Sequence, residues 1–196
     1  MQSTELVGAA TKAMNDALQS ALGESWDVPS GDVTWSCRDT AAHVADDLFS
    51  YASQVLAQPA DGYLPIEVVV DKDATNRQLM DAVVMCGTLL QNAVVLTPSS
   101  SRGWHPNGTS DPHGFAAMGA VEVLVHTYDI AQGLGFEWRP PTDLSRAVLD
   151  RLFPDAPEGA PGDVLLYCCG RAPLGTLPRK TSWAWDSSVR AEAADH

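Results

Sequence analysis

One stretch constrains this chain more than any other: Ala117 to Gly135, AMGAVEVLVHTYDIAQGLG. It is apolar enough for a buried helix, yet it carries Glu122, His126 and Asp129 at i, i+4 and i+7. At about 3.6 residues per turn, these three side chains emerge along one stripe. Val121, Leu124, Val125, Tyr128 and Ile130 surround the stripe with apolar surface. Burying a carboxylate and an imidazole there is costly unless each finds a partner. The economical partner is a divalent metal ion, with a third ligand from another helix.

A second helix offers that ligand. Ser36 followed by Asp39 forms an N-cap with an acidic partner three residues on, and Trp35 stands at the hydrophobic-staple position. The helix so opened, about Cys37 to Leu56, places His43 near the edge of its apolar face. His43, Glu122 and His126 make a two-histidine, one-carboxylate set that zinc accepts, leaving a position for water or substrate. Asp129 is placed to take the second imidazole proton of His126, and Asp46 or Asp47 to do the same for His43. The bland alternative is a solvated Glu–His pair, which the apolar setting of Glu122 disfavours. The sequence lacks HExxH, so it carries no zincin helix.

The remaining periodicity points to an all-α fold. Helices are expected over 4–22, 76–96 and from Asp111-Pro112 to Gly133, the last with a cap and first-turn proline. Short helices follow at Thr142–Phe153, with a threonine cap, and at Asp163–Arg171. Tyr63–Val70, β-branched at its end, reads as extended. The tail from Pro173 to His196 has no clear period, but Trp183 and Trp185 suit packing on the body. Four long helices with irregular connections make a four-helix bundle with a metal site between helices. Residues 1–138 form that bundle, and 139–196 form a C-terminal helical extension and tail packing on it.

The formal net charge of −13 argues against nucleic acid as a partner. No secretory h-region and no membrane-spanning run is evident, so a cytoplasmic protein is expected. Cys37, Cys86, Cys168 and Cys169 form no disulfide framework or Cys-x-x-Cys pair, and read as buried reduced thiols. His105 and His113 flank a turn-rich loop leading into the Glu122 helix, and either could line the site mouth. Arg171, Arg179 and Lys180 form the only dense basic cluster, suited to an anionic substrate or to surface carboxylates.

TWSCRDTAAHVADDL, residues 34–48, and GFAAMGAVEVLVHTYDIAQGLG, residues 114–135, resemble the DinB-like superfamily. More narrowly, they resemble the actinobacterial branch named for the mycothiol-dependent maleylpyruvate isomerase N-terminal domain. The likeness extends over about residues 4–136 as an arrangement of helices. It implies a bundle whose metal is held by His43, Glu122 and His126, with zinc first and nickel among the other ions considered. It also implies mycothiol or a similar low-molecular-weight thiol as cosubstrate, held as a thiolate for transfer to, or isomerisation of, a small electrophile. Arg171 joins His105 and His113 as a candidate for binding that substrate. Two other functions stand beside this one: a non-catalytic sensor or storage bundle, and a metal-dependent hydrolase. The oligomeric state is left open, with a homodimer among the possibilities.

Overall fold

The structure is a computed structural model that describes residues 3–189. The expectations for the ends of the chain, including the last residues of the tail, lie outside the described residues. Among the described residues there are six α-helices: α1 (Leu6–Leu18), α2 (Cys37–Ala57), α3 (Asn76–Leu96), α4 (Pro112–Gly133), α5 (Thr142–Leu152) and α6 (Pro161–Cys168). Single 3-10 turns extend α1 at both ends, so the expected 4–22 helix is divided rather than continuous. The fold reading holds: the described residues are all-α.

Caps fix where the long helices begin. Ser36 Oγ accepts from Asp39 N at 3.0 Å to open α2, Thr75 and Gln78 form a full capping box on α3, and Asp111 Oδ1 accepts from Gly114 N at 2.6 Å on α4. α5 departs from expectation: Pro141, not Thr142, holds the cap position and no side chain caps it. Trp35 also departs from its staple role. Its ring lies against His43 instead, with centroids 4.6 Å apart.

The 58–75 connection sets the topology. It carries the chain back along α2, so that Arg38 Nη2 in the first turn of α2 donates to Asp71 O at 3.0 Å. Asn76 Nδ2, at the start of α3, donates to Glu24 O at 2.9 Å. α2 and α3 therefore run the same way, with α1 and α4 opposed to them, a bundle with one crossover connection. Within that connection, Tyr63–Val70 forms no strand, contrary to its β-branched pattern. It has no neighbouring strand to pair with; Asp46 Oδ1 accepts from Val68 N at 2.6 Å and ties it to α2 instead.

α4 is the central helix, apolar on nearly every side and buried along most of its length. Close approach is built in at Gly119, where a Cβ would stand 2.6 Å from Leu90 Cδ2 and 3.1 Å from Leu48 Cδ2. α3 proves long and apolar enough to cross a membrane by length and composition alone, which the sequence reading did not anticipate. Its inward face, with Leu79, Val83, Cys86 and Leu90, fills the core, and a core helix passes the same test. α5 and α6 add Val148, Leu152, Val164 and Leu165 to this same core, so bundle and extension share one apolar interior.

Candidate metal centre

Antiparallel packing of α2 and α4 places the second turn of α2 opposite the middle turns of α4. His43 thereby meets Glu122 and His126. One donor atom from each of the three lies within 4.8 Å of the others. His126 Nε2 is 3.2 Å from Glu122 Oε2, and His43 Nε2 is 4.0 Å from the same oxygen. The two imidazoles stand edge to face with centroids 5.2 Å apart.

A chain of polar contacts holds His126 from behind. Its Nδ1 lies 3.0 Å from Asp129 Oδ2. Carboxylates only accept, so Nδ1 donates to Asp129 and Nε2 donates to Glu122. Asp129 is gripped in turn by Arg171, whose Nη2 donates to Oδ2 at 2.8 Å and whose Nε donates to Oδ1 at 3.1 Å. Burial alone would depress the His126 pKa, but the hydrogen bonds to Asp129 and Glu122 outweigh it and push it up to about 9. Burial would likewise raise Asp129, yet its bonds from His126 and Arg171 hold it below the ordinary carboxylate value.

Asp47 does not sit where expected. It faces His43 Nε2 at 3.1 Å, the same nitrogen that faces Glu122, and so does not orient the imidazole from its far side. The i, i+4 step on α2 brings Asp47 onto the inner flank of the ring. Burial, then the nearby Glu122 charge, pushes Asp47 up to about 8. Two part-buried carboxylates and two imidazoles thus converge on one small volume. Carboxylate oxygens and imidazole nitrogens gathered this closely are donors that a divalent cation can hold in place of their protons, and the donor types suit zinc.

The cluster opens into a cavity of about 410 Å³. Its walls include Trp35, Val121 and Val125 from the bundle, and Arg171, Trp183 and Trp185 from the C-terminal extension. Neither His105 nor His113 lines it. His105 is buried behind the wall, stacked on Trp185 with centroids 5.9 Å apart. His113 lies in the first turn of α4, nine residues before Glu122 and hence about 13 Å along the helix. Arg171 is at the site, but its guanidinium is committed to Asp129 and to Cys169 O.

The model of the mycothiol maleylpyruvate isomerase N-terminal domain family matches residues 7–131. The chain belongs to that family. No curated protein matches it, and no solved structure does. The family match holds every residue of the cluster, while Arg171, Trp183 and Trp185 lie beyond its end. Sequence reasoning missed Trp35 and Trp185 as cavity walls. Trp35 precedes the N-cap of α2, so no helical spacing signalled its approach to His43.

Proposed function

We propose that the chain is a metal-dependent enzyme that uses a low-molecular-weight thiol, of the mycothiol kind, on a small electrophile, as transferase or isomerase. The observation that carries this reading is the convergence of His43, Glu122 and His126 at the base of an apolar-walled cavity. These three residues would hold the ion, with Asp47 close enough to join them. Bound there, zinc or another divalent ion supplies the positive charge that lets a thiol ionise at neutral pH.

The chain's own residues do the rest. Asp129 and Arg171 hold the Nδ1 proton of His126, so an ion displacing the Nε2 proton would meet a lone pair aimed at the cluster. Glu122 contributes one negative charge, so a divalent site held by it and two neutral imidazoles alone would stand at net +1, and a thiolate beside it would find a counter-charge against apolar walls. Trp35, Val121 and Val125 keep bulk water from those walls. Family membership supports the thiol, and the four buried free cysteines suit a reducing, cytoplasmic compartment.

The test is thiol dependence. Zinc-loaded protein is given a panel of small electrophiles with and without mycothiol, and turnover is expected only with both metal and thiol. Turnover of esters or amides without thiol would favour a hydrolase. Metal binding with no turnover of any kind would favour a sensor.

A further inference from the structure

Beside the cavity at the cluster lies a second and larger one of about 610 Å³. The two share Asp32, Val33, Arg171 and Trp183, so they meet along a common seam. Arg171, Arg179 and Lys180 all line the larger cavity, on a chain of net charge −13. All three follow residue 131, where the family match ends.

The carboxylates nearby do not cancel this charge as seen from inside. Asp129 is buried, with its oxygens taken by Arg171 and His126. Asp32 pairs with Arg179 Nη1, but the two side chains are 72% and 43% exposed. An exposed pair of that kind is held weakly, and an incoming oxyanion can take the place of Asp32. Lys180 faces a ring rather than a carboxylate, its Nζ 5.1 Å from the Tyr167 centroid. Thr181 and Gln132 add neutral donors to the lining. Arg179 Nε donates to Gly170 O at 2.6 Å, which steadies its guanidinium beside the cavity, and a guanidinium with an ammonium beside it favours a planar oxyanion.

We propose that the larger cavity is an oxyanion subsite, which receives a carboxylate carried by the electrophile joined to, or poised beside, the thiol at His43, Glu122 and His126. The position of the thiol rests on the reading above; the subsite itself does not. Arg179 and Lys180 are its binding residues, and Asp32 is an internal competitor for it.

Two thiols of equal length separate the possibilities: 6-mercaptohexanoate and 6-mercaptohexanol, titrated calorimetrically into zinc-loaded protein. The acid should bind at least about tenfold more tightly than the alcohol. Arg179→Gln with Lys180→Gln should abolish that preference and leave the alcohol's affinity unchanged. Asp32→Asn should tighten the acid several-fold, roughly, and not the alcohol. These three residues border solvent, so the variants are expected to melt as the wild type does. Equal affinity of the two thiols, or a preference that survives the double substitution, overturns the subsite. If neither thiol binds, the thiol reading has failed, and glutarate then decides the subsite alone. Quenching of tryptophan fluorescence by glutarate that is lost on Arg179→Gln supports it; no quenching overturns it.

Discussion

His126 and His105 are buried to the same degree, each 5% exposed, yet their surroundings drive them in opposite directions. His126 stands between two carboxylates at 3.0 and 3.2 Å. His105 stands among aromatic rings, Tyr51, Tyr63, Phe115 and Trp185, each with its centroid within 6.4 Å. Its Nδ1 accepts from Asn107 N at 3.1 Å and faces Ser187 Oγ at 3.3 Å. Burial, opposed only by the distant Glu122 charge, lowers the His105 pKa from 6.5 to about 4. Burial therefore says little about what a histidine does. The partners decide: carboxylates favour the charged form of one, and rings make the other a neutral core residue.

The comparison breaks most visibly at the metal. His126→Ala should weaken zinc binding by about a hundredfold or more, whereas His105→Ala should leave zinc stoichiometry intact. Metal content after dialysis against a mild chelator measures both. Retention of full occupancy by His126→Ala would remove the cluster from consideration.

The next effect is in acid. An unfolded chain protonates His105 below about pH 6.5, whereas the folded protein resists until about pH 4. The folded state therefore keeps its stability above 6.5 and loses about 3 kcal/mol through this one residue as pH falls to 4. Urea unfolding at pH 7 and at pH 4 should show a smaller pH-dependent loss for His105→Gln than for wild type. Parallel losses in the two proteins would show that His105 is not held neutral. His126 has the opposite sign: its raised pKa lends stability that is complete below 6.5 and is lost as pH rises through about 9.

Smaller again is the effect of the support behind His126. Asp129→Asn keeps the side chain's shape but frees Arg171 and allows the other tautomer, so zinc affinity should fall by about ten- to a hundredfold. Competition with a chromogenic chelator measures it, and an unchanged affinity would mean that the clamp does not set the ligand. The smallest effect concerns the thiols. All four cysteines are buried, and burial raises each pKa, so alkylation should reach them only after unfolding. Rapid labelling of any one in the native protein would contradict this.

The long helices and the cluster were legible in the sequence because they rest on local rules. Caps at Ser36 and Asp111 and the i, i+4 spacing of Glu122 and His126 are decided within a few residues. His43 could be paired with them only by assuming a bundle, and the bundle forms as assumed. The contacts of Arg171 with Asp129, and of Trp185 with His105, were not legible. The first joins α4 to the turn after α6 and the second joins the loop before α4 to a tail without periodicity, and no spacing rule connects residues so far apart. Asp47 misled for a different reason. The same step that puts a carboxylate beside an imidazole does not say which ring nitrogen it meets.

The crossover connection has a kinetic consequence. Because α2 and α4 must pair across α3, His43 and Glu122 come together only when a loop of roughly eighty residues closes, and its entropy is spent before their contacts repay it. Individual helices form on the microsecond scale or faster, whereas this closure waits for the bundle to assemble. The zinc-binding step in refolding should therefore lag the return of helical circular dichroism, with the ligand pocket among the last parts of the chain to acquire its native form.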